Sequence, residues 1–232
     1  MPGKKHRKVA ELIELGKFYS LDEAIELVKK VSTSKFDGSL EIHLNLGIDT
    51  AQADQQLRKT VNLPHGTGKK VRVIAFCNEE HVKEAKTAGA SEAGKEELIA
   101  KVLGGWMDFD KVVATPDVMK ELGKIAKVLG QKGLMPNPKS GTVTTDLAKT
   151  IGDLQGGMVE FRSDKQGNLH NIVGKVSFDT KKLHDNLAAY LRAVNESRPA
   201  TIKGTFIKSI TLAPSMGPGV HLEVNETIKS VK

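Results

Sequence analysis

The sequence predicts a mixed α/β protein of two domains: a discontinuous α+β domain whose antiparallel sheet is built from both chain ends, and an α/β domain inserted into it. Three observations predict this. Apolar and polar residues alternate in the first and last thirds, as in a sheet with one buried and one open face. The middle third instead opens on a nearly continuous apolar run, Val71–Cys77, typical of a parallel strand covered on both faces. Strands and helices then alternate, the pattern of a small parallel unit. The expected boundaries are 1–66 and 158–232 for the two-ended domain and 67–157 for the insertion.

In chain order, Lys4-Lys5-His6-Arg7-Lys8 is a basic cluster expected to be frayed and solvated. Two helices follow. The second carries a capping-box pattern at Ser20 and Glu23, with Ala24, Leu27, Val28 and Val31 on one face. The clearest strand is Ser39–Leu46, where Leu40, Ile42, Leu44 and Leu46 alternate with Ser39, Glu41, His43 and Asn45. Phe36, just before it, reads on its own as a core residue. An extended run from Leu57 to Leu63 stops at Pro64, and the following loop to Lys70, with Gly66 and Gly68, reads as a hinge.

Inside the insertion, Asn78 caps a helix that Gly89 stops, a helix covers Glu96–Leu103, and Lys111–Ala114 is a short strand. Thr115 and Pro116 begin a helix running to about Gly130. A last helix from Asp146 ends at Gly156-Gly157, a second expected hinge. Beyond it, Met158–Arg162 and Leu169–Phe178 read as a hairpin around Asp164–Asn168. An amphipathic helix follows, with Leu183, Leu187, Tyr190, Leu191 and Val194 on one stripe. A strand over 205–212, a tight turn from Pro214 to Gly219 and a last strand with Val220, Leu222 and Val224 complete the pattern, leaving a mobile tail from Asn225. On residues alone, the turn reads as a plain strand connection.

The chain has 232 residues, a net charge of +7 and 4% aromatics, so its cores are aliphatic and its expected partner is acidic, such as nucleic acid. Basic residues outnumber acidic ones ten to nine in 1–66, fourteen to twelve in 67–157 and eleven to seven in 158–232. The two-ended domain thus carries +5 of the +7 and is the expected site of nucleic-acid contact. No apolar stretch approaches the roughly 20 residues of a membrane span, and no secretory signal opens the chain, so the expectation is a soluble cytoplasmic protein without a membrane partner. Cys77, the single cysteine, forms no internal disulfide and reads as an inert core thiol.

Nothing in the sequence assembles a catalytic or metal site. The first strand of the insertion runs into Asn78-Glu79-Glu80-His81 with no glycine-rich phosphate turn, and the glycine–lysine loop at 66–70 precedes its strand instead of following it. The seven histidines have no ligand-like spacing. No cofactor is expected. A nucleotide-dependent enzyme and a pure protein-interaction module stay open as rivals to an RNA-binding protein.

One stretch breaks the ordinary texture. Gly133–Val143, GLMPNPKSGTV, combines two prolines around Asn137 with apolar Leu134 and Met135, so it is a packed, shaped loop bracketed by Lys132 and Lys139. The longer run Lys127–Asp146 closely resembles the signature of the L-one family of large-subunit ribosomal proteins, bacterial type. LDEAIELVKK at 21–30, LPHGTGK at 63–69, DFDKVVATPDVM at 108–119 and SMGPGV at 215–220 resemble the same family in order. Gln131 and Lys132 stand where the family usually has proline and arginine, and a lysine lacks arginine's two-pronged fork.

The resemblance implies a two-ended domain with a Rossmann-like insertion and no enzymatic activity. It also implies a monomer when free that binds ribosomal RNA in the mobile stalk near the tRNA exit site. Members assist release of deacylated tRNA, and many bacterial ones repress translation of their own messenger RNA. Carried over by position, the RNA surface comprises Lys35, Phe36, Ser39, Glu41, Lys165, Ser209, Ser215, Met216 and Gly217. Lys132, Pro136, Asn137 and Lys139 are secondary contacts, and Pro64, Gly66, Gly68, Gly156 and Gly157 the hinge positions. Ala213 and Pro214 replace hydroxyl residues that often precede the turn in that family.

Overall fold

A computed structural model of the protein describes residues 3–14, 16–52 and 54–231. The chain divides into two compact units, Met1–Gly68 with Val159–Lys232, and Lys69–Met158.

The first unit begins with α1 (Lys4–Ala10), so the basic cluster is helical and not frayed: lysine and arginine are good helix formers, and this helix buries none of its residues. α2 (Leu21–Val31) starts at the expected capping box and buries Leu21, Ala24, Ile25, Val28 and Val31. β1 (Ser39–Leu46) alternates without a break between half-buried polar and fully buried apolar residues. It is one of the two inner strands of a four-stranded sheet of order β7-β1-β8-β9, with β7 at Asn168–Lys175, β8 at Ile207–Pro214 and β9 at Val220–Leu222. Every pairing in it is antiparallel. α8 (Thr180–Glu196), α2 and α9 (Val224–Val231) contribute, with the inward residues of the sheet, to one core that includes Ile42, Leu44, Val173, Leu187, Tyr190 and Leu212.

Two expectations fail here for physical reasons. The Asp164–Asn168 turn closes, with the Asp164 N–H donating to the Asn168 carbonyl, but it joins no hairpin. β6 (Met158–Arg162) pairs with β2 (Arg58–Asn62) in a separate two-stranded sheet, and β7 pairs with β1. Burying Leu169 and Val173 beside the β1 residues outweighs the local turn. The segment after Asn225, expected to be mobile, is helical in α9 to Val231; Thr227 and Val231, four apart, are buried. The last strand accordingly ends at Leu222, before Val224.

The second unit is a three-stranded parallel sheet of order β4-β3-β5, with β3 at Val73–Phe76, β4 at Glu92–Gly94 and β5 at Lys111–Ala114. Alternate residues of β3 face opposite layers. Ile74 and Phe76 pack with α4 (Glu96–Leu103), α5 (Met119–Leu122) and α6 (Ala126–Gln131). Val73 and Ala75 pack with α3 (Glu79–Thr87) and α7 (Leu147–Gly156). The three-residue β4 is too short to leave an alternating signal and was not expected. The single helix expected over 116–130 is instead a chain of short pieces, with 3-10 turns at Pro116–Val118 and Gly123–Ile125 around α5. Gly123, a poor helix former, lies where α-helix gives way to 3-10. Cys77 is fully buried, which pushes its thiol pKa up and leaves it unreactive.

Two polar anchors hold loops that the sequence left open. Asn186 of α8 is fully buried; its amide donates to the Gly66 and Val173 carbonyls (2.9 and 2.8 Å), and its oxygen accepts from the His65 N–H (3.0 Å). Asp110 accepts from Lys69 Nζ (2.7 Å) and from the backbone N–H and Nε of Arg72 (3.1 and 3.3 Å), while Arg72 also pairs with Asp108. The Lys69 ammonium, then the Arg72 donors, pull the Asp110 carboxyl down to about 2.

Two outcomes are expected. Asn186→Ala strands one N–H and two carbonyls beside a buried hole and lowers stability by about 3 kcal/mol, read by denaturant unfolding. Asp110 binds its proton more weakly folded than unfolded, so its contribution is complete above about pH 4 and disappears as pH falls toward 2. Asp110→Asn therefore costs about 1 kcal/mol at neutral pH, the small value reflecting exposed partners, and flattens the acid limb of a melting-temperature profile.

Candidate nucleic-acid interface

The site is built on the face of the four-stranded sheet opposite its helices. Because β1 buries Leu40, Ile42, Leu44 and Leu46, its pleat turns Ser39, Glu41, His43 and Asn45 outward. The register sets Ile172, Glu41 and Ala213 in one cross-strand row. His170, His43, Thr211 and His221 form the next, and Asn168, Asn45 and Ser209 the third. None of these residues is lysine or arginine.

Seven of the nine expected contact residues gather at the Ser39 end of this face. Ser39 and Ser215 are clamped together: the Ser215 N–H donates to the Ser39 carbonyl (2.9 Å), and the Ser39 N–H donates to Ser215 Oγ (3.2 Å). The Ser215 hydroxyl proton has two acceptors in reach, Glu41 Oε1 at 3.4 Å and the Ser39 carbonyl at 3.5 Å. Glu41 is therefore held by neighbours within the protein, its other oxygen lying 3.8 Å from His43 Nε2. Phe36 is 63% exposed, against its reading as a core residue: the loop between α2 and β1 turns it outward, with Ser34 Oγ donating to its carbonyl. Lys35 beside it is also exposed.

Among the described residues, Met216 is the most exposed large apolar one, at 75%. Its φ of +67° is the only left-handed backbone at a non-glycine position among the described residues. A conformation that costs of order 1 kcal/mol or more persists only where its surroundings impose it. Here Thr33 Oγ1 donates to the Met216 carbonyl (2.9 Å), and the Gly217 N–H donates to the Pro214 carbonyl (3.0 Å). Gly217 is required: a Cβ there would lie 2.5 Å from Pro214 Cγ and 3.1 Å from the Val31 carbonyl. Pro214 thus helps wedge the turn. Thr33 and Lys175, whose Nζ donates to Ser39 Oγ (3.1 Å), complete this end and were not anticipated. The Ser32-Thr33-Ser34 run at the end of α2 was the one available signal for Thr33.

The other two contact residues lie apart. Ser209 faces Asn45, four residues along β1 from Glu41, about 14 Å away. Lys165 is exposed on the Asp164–Asn168 turn, its carbonyl accepting from Thr50 Oγ1 (2.6 Å). The turn's Asp164 carboxylate accepts N–H bonds from Asn168 and Gln166, and the Asn168 N–H leads in lowering its pKa.

Between the two ends stands a histidine pair. His43 Nδ1 and His170 Nδ1 are 2.9 Å apart, so one carries the proton and the other accepts it. The outer nitrogens face carboxylates, Glu41 at 3.8 Å from His43 and Asp164 at 3.7 Å from His170. Burial first, and the neighbouring His170 second, lower the His43 pKa.

Within the second unit, the Gly133–Val143 loop is stitched to the sheet. The Ala114 N–H donates to the Thr142 carbonyl, the Thr144 N–H to the Ala114 carbonyl, and Val143 bridges Ala114 in parallel. Leu134 and Met135 pack on the core. Lys132 and Lys139 are exposed, Pro136 is buried, and Asn137 spends its side chain accepting the Lys139 N–H (2.8 Å). Among the described residues no cluster of three potential metal ligands exists, and no helix is long and apolar enough to cross a membrane.

Residues 28–218 match the model of the Ribosomal protein L1p/L10e family. The chain is 47% identical over 231 residues to the large ribosomal subunit protein uL1 of Protochlamydia amoebophila, covering 100% of this chain and 98% of that protein. It is 50% identical over 228 residues to the protein of the same name from Chlorobium chlorochromatii, covering 98% and 100%. With the one from Thermobifida fusca it shares 48% over 229 residues, covering 99% and 97%. A match of this length and depth, over both units and through the Met216 turn, places the chain in the Ribosomal protein L1p/L10e family, a family of structural, non-enzymatic ribosomal proteins.

Proposed function

We propose that this protein is a structural component of the large ribosomal subunit in the cytoplasm. It binds ribosomal RNA of the mobile stalk near the tRNA exit site through the Ser39 end of its four-stranded sheet. The observation that carries this reading is the convergence of Lys35, Phe36, Ser39, Glu41, Ser215, Met216 and Gly217 on one preorganised surface within the family's first unit. Sequence-distant segments meet there, and two exposed apolar side chains flank a hydrogen-bonded polar patch. Such a patch suits RNA: hydroxyls and a carboxylate meet ribose hydroxyls and base edges, and the apolar tips pack on sugars or bases.

The two units act as an RNA-binding domain built from both chain ends and an inserted Rossmann-like domain. The inserted domain offers Lys132 and Lys139 as secondary contacts, with Pro136 and Asn137 shaping their loop. Motion between the domains is concentrated at Pro64, Gly66 and Gly68 and at Gly156 and Gly157. In this role the protein assists release of deacylated exit-site tRNA. It also represses its own messenger RNA where that RNA repeats the stalk fold.

The test is a filter-binding titration of the full chain against the stalk fragment of large-subunit RNA and an equally long unrelated duplex, at two salt concentrations. Preferential binding to the stalk fragment is expected, with affinity falling on added salt to the extent that lysine–phosphate contacts contribute. Equal weak binding to both RNAs would reduce the protein to a basic surface. Met216→Ala and Phe36→Ala are each expected to weaken stalk binding roughly tenfold with unchanged melting temperature, since both side chains are exposed; unchanged affinity in both removes the proposed surface.

A further inference from the structure

The surface of the proposed RNA contact has two ends and an unassigned middle. Ser39, Ser215 and Met216 mark one end; Ser209 and, past Asn168, Lys165 mark the other. Between them runs the row His170, His43, Thr211 and His221, on the sheet face opposite the helices. We propose that this row is itself a binding surface, which takes unpaired bases of the same RNA by stacking on its histidine rings. This rests on the reading of the Ser39 end as an RNA contact.

Four features support it. First, the row carries rings in two pairs. His43 and His170 lie 5.1 Å apart between centroids and are tilted by 59°; His221 and Phe18 lie 6.4 Å apart and are tilted by 56°. Thr211 separates the pairs, so His43 and His221 stand two strand spacings apart, roughly 10 Å. That leaves room for one flat base against each pair.

Second, the rings are fixed before anything binds. The Nδ1–Nδ1 bond ties His43 to His170, and Thr211 Oγ1 lies 3.0 Å from His221 Nδ1. Stacking on a fixed ring loses little side-chain freedom. Third, the charge is arranged for a nucleic-acid strand and against a simple phosphate sink. No lysine or arginine stands on the three rows, while Lys175 and Lys165 stand at opposite ends. Phosphates meet the lysines at the rim and bases the histidine row between them.

Fourth, exposed apolar surface borders the rings: Ile172 is 43% exposed beside Glu41, and Phe18 is 59% exposed beside His221. A sheet presenting rings on its open face is a known physical solution for holding two or three unpaired bases, because every base has a face to stack.

The test compares His170→Ala, His221→Ala and the double variant with His170→Phe and His221→Phe, all in the full chain, against the stalk RNA fragment. Both histidines are exposed, and melting temperature checks each variant's fold. The double alanine variant is expected to bind about tenfold more weakly, with the slope of log affinity against log salt unchanged, because no phosphate contact is lost. The phenylalanine variants restore binding, since a ring without charge or hydrogen bonds still stacks. Wild-type affinity in the double alanine variant, alongside weakened Met216→Ala, overturns the proposal and leaves the histidine row outside the footprint. Loss of binding that phenylalanine does not restore, or that flattens the salt slope, overturns stacking in favour of charge. Absence of any stalk preference in the unaltered protein overturns the reading it rests on as well.

Discussion

Pairing on both edges of β1 is the constraint on which the two-ended unit depends. The strand is antiparallel to β7 on one side and to β8 on the other, and its four apolar residues are all at most 1% exposed. Sliding β1 by one residue would put Leu40, Ile42, Leu44 and Leu46 into water and Glu41 into the core, at a cost of roughly 1.5–3 kcal/mol per side chain from burial alone. Register is therefore fixed, and every outward position is fixed with it. Ser39 meets Ser215 because of it, since segments 176 residues apart are brought level by the direct pairing of β1 with β8.

The same constraint explains why the Met216 turn tolerates a left-handed methionine. The turn follows β8, which β1 holds in place, and it lies over the end of α2, whose Val31 carbonyl would be 3.1 Å from a Cβ at Gly217. With Thr33 holding the Met216 carbonyl, the backbone has no relaxed alternative that keeps its hydrogen bonds. The side chain is left projecting into solvent, which makes little sense for stability and good sense for contact.

Much of this was legible in the sequence, and most of the parts that were not share a cause. The strict alternation of β1, the capping box of α2, the apolar run of β3 and the amphipathic stripe of α8 are local signals set by one helix or strand. The failures are relational. Nothing local tells β6 to pair with β2 and not with the strand that follows it, or tells a loop phenylalanine to face outward. Asn186 reads as a polar residue on a helix until the Gly66 loop is seen lying against it. At the candidate site, the turn and the first strand stood out through the family resemblance. Thr33, Lys175 and the facing histidines emerge only when register brings distant strands together. The α9 helix is a different case: its four-residue spacing was present, but Val224 continued an alternating pattern and masked it.

A sheet closed by strands from both ends also sets a timetable. Leu44 is partnered by Ile210, 166 residues later, whereas the parallel sheet of the second unit is contained within a continuous stretch from Lys69 to Met158. At the roughly 5–20 residues per second of synthesis, the apolar edge of β1 waits on the order of ten seconds or more for its β8 neighbour. The inserted unit has by then emerged whole. The chain is thus made in an order that completes its interior piece first and leaves its two-ended piece for last, with a strand rich in leucine exposed meanwhile. Protecting that strand is a task for the nascent chain's surroundings, and it follows from chain topology alone.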